Sequence, residues 1–317
     1  MIFYRPSYRC YEKKGMAMSG HNHTQNTFSN RITRREVLAS VAGAAAASAL
    51  ARNSRTTGAA EATNVITKGR LKQSACRWCY PKIPMEELAA FAAAIGLKSL
   101  ELVGPKDWPT LKKHGLICAM VPSHGITKGL NRIENHEQCL AKIKQSIEQA
   151  SEAGFPNVIC FSGNREGMDD EEGLKNCAVA LKKIVGLAEK KKITLCMELL
   201  NSKVNHKDYM CDHTNWGAKL VKQVDSDNFK LLYDIYHMQV QEGDVIATIK
   251  ANKDYIAHYH TAGVPGRHEL DENQELFYPA IMRTIAESSF TGYVGQEFVP
   301  KHDPLKSLAA AVRLCDV

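Results

Sequence analysis

The sequence predicts an α/β protein, a (β/α)8 TIM barrel, because eight apolar β-type runs alternate with helical patterns from Leu71 onward. The runs are apolar on both faces, as strands of a helix-covered parallel sheet are. About 250 residues are available for eight βα units, which suits a closed barrel better than an open sheet. The strand candidates are LKQSACRWC, SLELVG, LICAMVPSHG, NVICFSGN, ITLCMELLN, FKLLYDIYH, IAHYHTAG and YVGQEFVP.

The segments between these runs have the one-sided apolar spacing of helices that cover a sheet. The segment LKNCAVALKKIVGLAEKKK keeps this spacing from Leu174 onward, and MEELAAFAAAIG shows it too. Its apolar positions at i, i+3, i+4 and i+7 are Leu88, Phe91, Ala92 and Ile95. No GxGxxG sequence opens a helix, which disfavours a doubly wound nucleotide-binding sheet. We therefore expect a single domain over residues 61–317.

Residues 1–60 differ from the rest of the chain and predict an export leader and linker. A Thr-Arg-Arg sequence at 33–35 precedes an uncharged apolar run at 37–51, the pattern of a twin-arginine signal. We therefore expect the twin-arginine export machinery as a partner and a periplasmic protein that folds before export. Cleavage after Ala49 or Ala51 fits a small-x-small site. Membrane anchoring by an uncleaved signal is the alternative, although the run is short for a membrane span.

The net charge of +7 belongs to the leader. Residues 1–60 hold nine of the 41 basic and two of the 34 acidic side chains, so 32 of each remain in residues 61–317. A formally neutral domain has no basic field for nucleic acid, and we expect no such partner.

Nine of the ten cysteines lie in the domain at irregular spacing, which is not typical of a disulfide framework. Cys76 and Cys79 are interpreted as strand side chains and not as half of a zinc site.

Four ionisable residues stand where predicted strands end, the edge at which barrel enzymes carry their chemistry. They are Glu198, Asp234, His260 and Glu297, separated by 36, 26 and 37 residues. Roughly thirty residues make one βα unit, so the four come from successive strands and point into one mouth. Three carboxylates would repel one another without a cation. Three oxygen ligands and one imidazole predict a single Mn²⁺, Mg²⁺ or Co²⁺, with Zn²⁺ disfavoured because no thiolate takes part.

Four stretches of the sequence resemble a known family. MELLN, YDIYHMQ, HYHTAGVPGRHE and GYVGQEF are similar to the hydroxypyruvate isomerase group of the xylose isomerase-like TIM barrels. That superfamily also contains ketose 3-epimerases and an AP-endonuclease branch, and the resemblance extends from about Leu71 to the end. The resemblance implies four metal ligands: first a Glu, then an Asp, then either His or Gln, and last a Glu. In this sequence these positions are Glu198, Asp234, His260 and Glu297. His260 matches the epimerases, because the hydroxypyruvate group often has Gln at this position.

The resemblance also implies a reaction, the isomerisation or epimerisation of a small hydroxy-carbonyl compound or sugar. A proton next to the carbonyl is removed and returned, and the metal would stabilise the enediolate between these steps. Glu198 and Glu297 would be the base and acid pair. His237, three residues after Asp234, would donate a hydrogen bond to the developing oxyanion, or else is a structural histidine.

Further substrate contacts are expected from loops at the strand ends. Arg267, in GVPGRHE, would clamp a substrate oxygen or carboxylate; the alternative is a solvated arginine paired with Glu269. His124 ends the third predicted strand and is either substrate-facing or structural. Trp78 and Tyr80 would form an apolar wall for one face of a sugar.

Three other functions compete with the isomerase. Hydroxypyruvate is a cytoplasmic intermediate and an exported enzyme is oddly placed for it, so a lyase or dehydratase of 3-keto-glycosides is the first alternative. The second is an AP-endonuclease-like phosphodiesterase, which the neutral charge disfavours. The third is a non-catalytic sugar-binding barrel. The sequence leaves open the substrate, the start codon and whether the protein forms a homo-oligomer.

Overall fold

The structure is a computed structural model that describes residues 63–317. The export signal, its cleavage sites and most of the linker expected after them lie outside these residues, and those expectations stay predictions. Within the described part of the chain, no helix is both long enough and apolar enough to cross a membrane.

One curved sheet of seven parallel strands forms the centre of the domain. The strands are β1 (Lys72–Cys76), β2 (Ser99–Glu101), β3 (Asn157–Cys160), β4 (Thr194–Leu199), β5 (Phe229–Asp234), β6 (Ile256–Thr261) and β7 (Tyr293–Gln296). Their spatial order is β2-β1-β7-β6-β5-β4-β3, and all six pairings are parallel. Almost every strand residue is buried, as apolar character on both strand faces predicts.

The predicted third strand is an extended segment at 117–121 that joins the two edges of this sheet. Ile117 forms a parallel bridge with Ser99 of β2, and Val121 forms one with Val158 of β3. Backbone hydrogen bonds accompany both bridges. The segment supplies the eighth position of the barrel with single bridges and no regular ladder, and the predicted (β/α)8 fold is confirmed.

Helices cover the outside of the sheet. They are α1 (Met85–Ala94), α2 (Trp108–Lys113), α3 (His136–Ala153), α4 (Asp170–Lys191), α5 (Thr214–Val224), α6 (Ile235–Gln241), α7 (Val245–Asn252), α8 (Tyr278–Glu287) and α9 (Pro304–Leu314). The two helices predicted from apolar spacing are α1 and α4. The carboxylate of Asp169 caps α4 by accepting the N–H of Glu171 at 2.9 Å, and Gly154 ends α3 with φ +77°.

The nine cysteines of the described residues are all buried free thiols. One expectation about them is wrong, since β1 ends at Cys76 and Arg77–Cys79 is a turn of 3-10 helix, so Cys79 is not a strand side chain. The Arg77 guanidinium holds this turn by donating to the carbonyls of Tyr80 and Ile83. The turn places Trp78 at the mouth of the barrel.

Candidate active site

The four predicted metal ligands converge at the carboxyl ends of β4, β5, β6 and β7. One ligand atom from each of Glu198, Asp234, His260 and Glu297 lies within 4.8 Å of the others. All four residues are buried. The arrangement follows from the parallel sheet, because the carboxyl ends of its strands meet at one edge.

Asp234 sits at the junction between β5 and α6, and its two oxygens have different partners. Oδ1 accepts the backbone N–H of His237 at 3.1 Å, which caps α6. Oδ2 lies 2.9 Å from Nη2 of Arg267. The carboxylate that the sequence places in a buried strand is therefore both a helix cap and a member of the ligand set.

His260 lies at the centre of the set. Its Nδ1 is 2.6 Å from Oε2 of Glu297 and 3.3 Å from Oε1 of Glu198, without the geometry of a hydrogen bond. Burial disfavours an ionised His260, but the neighbouring Glu297 carboxylate, the Cys76 thiol and the Glu101 carboxylate together outweigh burial, and the pKa of the imidazole is raised. Nδ1 is the ring nitrogen on the side of the Glu297 and Glu198 carboxylates, where a shared cation would lie.

The three carboxyl groups differ in their ionisation. Burial raises the pKa of Glu198, and it raises the pKa of Asp234 to about 7. Burial also opposes the ionised form of Glu297, but His260 and Arg267 outweigh it and hold the pKa of this carboxyl well below its usual range. The positive charges around Glu297 thus keep it ionised, whereas Glu198 and Asp234 are less well compensated.

A fourth buried carboxylate, which the sequence reasoning did not find, lies behind His260. Oε1 of Glu101, at the end of β2, is 3.1 Å from Nε2 of His260, and its Oε2 is 3.0 Å from Nε2 of His258. The Cys76 thiol faces the same Oε1 at 3.5 Å. Glu101 holds the ring nitrogen of His260 that points away from the ligand set. The i, i+2 pair of histidines in β6 is the one sequence signal that could have pointed to this layer.

Arg267 reaches into the ligand set. Its Nη2 contacts Glu297 Oε2 at 2.5 Å as well as Asp234, and its Nη1 lies 2.8 Å from Nε2 of His237. The alternative of a solvated pair with Glu269 is wrong, because Glu269 accepts the backbone N–H groups that follow β7. Arg267 has φ +63°, in the left-handed region, and follows Gly266 at φ +92°.

His237 is fully buried beside Arg267 and the neutral form of its ring is favoured. Burial lowers the pKa of the imidazole, and the charge of Arg267 lowers it further. Its Nδ1 faces the backbone N–H of Asn201 at 3.2 Å, and its Nε2 faces the Arg267 guanidinium, so both ring nitrogens lie next to donor groups. His206, which the sequence reasoning missed, packs edge-on against this ring at 5.2 Å between centroids.

A cavity of about 390 Å³ opens onto the site. Among the predicted site residues, it is lined by Glu198, Glu297, Arg267, His124 and Trp78. Asp234, His237 and His260 do not line it. Trp78 donates its indole N–H to Oε1 of Glu297 at 2.7 Å, whereas Tyr80 is buried against Phe298 and takes no part in the wall. A larger cavity, of about 560 Å³, lies at the amino ends of the strands and holds none of these residues.

His124 contacts the cavity, but its two nitrogens are occupied. Nδ1 lies 3.0 Å from the carbonyl of Gly125, and Nε2 accepts the backbone N–H of Phe161 at 3.3 Å. Burial lowers the pKa of the ring to about 4, so it is neutral at physiological pH. The substrate contact proposed for His124 is limited to the faces and carbons of its ring.

The donor set fits one divalent cation. Three carboxylates and an imidazole are ligands that Mn²⁺, Mg²⁺ and Co²⁺ accept, and no thiolate belongs to the group. Nδ1 of His260 is buried and lies 2.6 Å from Oε2 of Glu297 and 3.3 Å from Oε1 of Glu198, which supports its assignment as a ligand of a cation shared with them. Glu101 supplies the carboxylate behind the imidazole that metal-bound histidines commonly have.

The fold and the site define a barrel enzyme with a buried set of acidic and histidine ligands at its mouth. Residues 89–315 match the profile of the family described as "Xylose isomerase-like TIM barrel". The chain belongs to this family.

Relatives of this chain include proteins named as isomerases. The 2-oxo-tetronate isomerase of Cupriavidus necator is 32% identical, over 67% of this chain and 86% of that protein. A human protein named "Putative hydroxypyruvate isomerase" is 23% identical, over 73% of this chain and 80% of that protein. The chain is accordingly an enzyme of the isomerase class.

Solved structures share the fold at lower identity. The crystal structure of AP endonuclease, family 2, from Brucella melitensis superimposes with a TM-score of 0.67 at 23% identity, covering 76% of this chain and 98% of that chain. The 3-keto-D-glucoside 4-epimerase of E. coli has a TM-score of 0.66 at 16% identity, covering 77% and 98%. At these identities the likeness shows the fold alone.

Proposed function

We propose that the protein is a divalent-metal-dependent, hydroxypyruvate isomerase-like enzyme of the aldose-ketose or 3-epimerase type. Its substrate is a small hydroxy-carbonyl compound or sugar, and its reaction moves a proton next to the carbonyl. The observation that carries the proposal is the buried convergence of Glu198, Asp234, His260 and Glu297. A bound Mn²⁺, Mg²⁺ or Co²⁺ would polarise the carbonyl and offset the negative charge that develops on its oxygen.

Glu198 and Glu297 are the proposed base and acid because they are the two members of the set that line the cavity. One takes the proton from the substrate carbon and the other returns a proton to the enediolate. Trp78 orients Glu297 through the indole hydrogen bond to Oε1. Asp234 and His260 do not line the cavity and are assigned to the metal alone.

Arg267, which lines the cavity, is the proposed donor to a substrate oxygen, and His237, which lies behind it, is proposed to act on the substrate through Arg267. Nε2 of His237 lies 2.8 Å from Nη1 of Arg267, which can only donate, so the imidazole orients the guanidinium. A guanidinium held in this way can donate to an oxygen on which negative charge develops. The support for this assignment is their position beside Asp234 and Glu297.

Deuterium exchange tests the proposal. The Mn²⁺-loaded protein is incubated in D₂O with hydroxypyruvate, several ketoses and 3-keto-glycosides, and we expect deuterium to enter beside a carbonyl. Glu297→Gln should slow the exchange by about 10²–10⁴-fold, the usual contribution of a positioned acid or base. The exposed Glu137→Gln is the control and should leave the rate unchanged. No exchange with any compound, together with no affinity for a divalent metal, would contradict the proposal.

A keto-sugar lyase or dehydratase of the 3-keto-glycoside type is the second candidate. The same abstracted proton leads to loss of a β-substituent, and a cavity of about 390 Å³ has room for a glycoside. Product analysis in the same incubation separates the candidates, because a lyase releases the substituent and an isomerase conserves the formula. The Glu297→Gln variant separates both from a non-catalytic sugar-binding barrel, which has no turnover to lose.

We also propose, from the sequence alone, that the protein is exported folded to the periplasm by the twin-arginine machinery. Replacing Arg34 and Arg35 together by Lys should retain the protein in the cytoplasm, as cell fractionation would show. Arg31→Lys, which keeps the pair, is the control. Equal distribution of the two variants would contradict export by this route.

A further inference from the structure

The cavity at the active site has a polar end and an apolar end. Glu198, Glu297 and Arg267 lie at the polar end, next to the ligand set. The remaining wall consists mainly of apolar side chains from other strand ends and loops, namely Leu102, Pro122, Ile126, Ile159, Phe161 and Leu200. The part of a substrate that lies farther from the ligand set therefore meets hydrocarbon.

Besides Trp78, the wall has three polar side chains: Ser123 and His124 are hydrogen-bonded to the backbone, and His206 packs beside His237. Ser123 donates its hydroxyl to the carbonyl of Ile159. His124 uses both ring nitrogens on the backbone of Gly125 and Phe161. Sugar hydroxyl groups placed against the apolar side chains of this wall, away from His206, would lose their water without a replacement partner, which is unfavourable.

Leu102 is held in the wall against its backbone preference. It has φ +57°, in the left-handed region that Asn, Asp and Gly tolerate better than Leu. Its N–H donates to the carbonyl of Met120 at 2.9 Å, which fixes this conformation at the end of β2. Strained residues of this kind are found at ligand sites, and here the strain presents an apolar side chain to the cavity.

The rim of the mouth continues the apolar surface. Trp78 is 44% exposed and Val204 is 62% exposed, in the segments that follow β1 and β4. Val299, 38% exposed, donates its backbone N–H to the carbonyl of Arg267 at 2.8 Å. Arg267 is the one Lys or Arg among the residues that line the cavity, and it is engaged by Asp234 and Glu297. A phosphate group would find no further cation there.

We infer that the substrate is a hydroxy-ketone or keto-sugar that carries an apolar substituent, such as the aglycone of a keto-glycoside. The inference rests on the proposed function, because it takes the hydroxy-ketone end of the substrate to lie at Glu198 and Glu297. The apolar substituent lies against Leu102 and Ile126.

A matched pair of probes tests the inference, phenyl and methyl 3-keto-β-D-glucopyranoside. Deuterium exchange beside the carbonyl is measured with the Mn²⁺-loaded protein in D₂O. We expect kcat/KM for the phenyl compound to be higher by about tenfold or more, because the ring buries apolar area against the wall. Equal or faster exchange with the methyl compound would overturn the inference while leaving the proposed function supported.

Variants of Leu102 test whether the preference for the phenyl glycoside arises from the apolar wall of the cavity. Leu102→Asn suits the left-handed backbone and makes the wall polar, so the preference for phenyl should fall to about threefold or less. Leu102→Met keeps the wall apolar and should retain the preference. Ile126→Ser is a second polar variant, and Ile133→Ser, at a 63% exposed position that does not line the cavity, is its control. An unchanged preference in both polar variants would overturn the inference.

A binding measurement tests the apolar subsite independently of the proposed proton transfer. If neither probe exchanges deuterium, the proposed proton transfer fails for these compounds. Calorimetric titration of the Mn²⁺-loaded protein with the same two glycosides then decides the inference. Binding of the phenyl compound that is about tenfold tighter supports an apolar subsite, and equal binding overturns it.

Discussion

Asp234 has two separate roles at this site, as a proposed metal ligand and as a helix cap. Its charge belongs to the ligand set, and its Oδ1 also caps α6 by accepting the N–H of His237. The sequence places the carboxylate at the end of a strand, which is enough to predict the first role. The second role depends on the backbone turning into a helix directly after Asp234, a boundary that the sequence does not locate.

The two roles of Asp234 can be separated by substitution. Asp234→Asn keeps a good N-cap but removes the charge, so the free energy of unfolding should change little while metal affinity falls by about tenfold or more. Asp234→Ala loses both and should also destabilise the protein by about 1 kcal/mol. Metal titration by calorimetry and urea unfolding provide the two readouts.

His237 provides the contrasting case. His237→Ala should leave the metal affinity unchanged and slow turnover, because its Nε2 faces Arg267 and its ring is outside the ligand set. Metal titration and steady-state kinetics check this expectation. Equal loss of metal in His237→Ala and Asp234→Asn would show that the division of roles is wrong.

At the scale of elements, a glycine in β7 allows side chains of β2 and β6 to contact each other. Glu101 belongs to β2, and its carboxylate reaches His260 on β6 although β1 and β7 lie between them in the sheet. A Cβ at Gly295 of β7 would lie 1.8 Å from Oε1 of Glu101 and 2.9 Å from Cδ2 of His260. The absence of a side chain at Gly295 is therefore what allows this contact across the barrel.

Gly295→Ala tests this arrangement without touching any metal ligand. The added methyl group should displace the Glu101 carboxylate and lower metal affinity by about 10–100-fold, the usual effect of losing the group behind a ligating histidine. Glu101→Gln should weaken metal binding in the same direction. Gly186→Ala in α4, where a Cβ meets nothing within 4 Å, is the matched control and should bind metal normally. Metal affinity of Gly295→Ala equal to that of the control would contradict the account.

At the scale of the whole domain, Asp316 ties the end of the chain to its beginning. Its carboxylate accepts the backbone N–H groups of Thr67 at 2.6 Å, and of Lys68 and Gly69 at 2.8 Å each. Although partial burial opposes ionisation, these hydrogen bonds outweigh it and lower the pKa of Asp316. The ionised carboxylate thus contributes to closing the domain beside β1.

The pH dependence of the free energy of unfolding should show the contribution of Asp316. The pKa of Asp316 in the folded protein lies below its unfolded value of about 3.9. Its contribution to the free energy of unfolding is therefore present above about pH 3.9 and is lost as the pH falls through the folded pKa. Asp316→Asn should be less stable than the parent by on the order of 1 kcal/mol near neutral pH. The difference, measured by urea unfolding, should shrink below about pH 4. A difference that is constant down to the lowest pH would contradict the assignment.

Much of the site could be predicted because strand ends in a parallel barrel meet at one edge. The positions of Glu198, Asp234, His260 and Glu297 after successive apolar runs were sufficient to bring them together. Arg267 could be placed near the mouth but not among the carboxylates, because its loop conformation depends on packing after β6. His206 had no signal, since it lies in a loop whose path is not periodic.

The sequence by itself determined the alternation of strands and helices and the four converging side chains, because these follow from periodicity and from residues at strand ends; the resemblance of four short stretches indicated the family. Only the tertiary structure decided that the Glu101 carboxylate contacts His260 past Gly295. It also decided that both ring nitrogens of His124 are hydrogen-bonded to the backbone and that apolar side chains line the cavity. These features join residues from different strands and loops. Local patterns carry no information about which of them lie side by side.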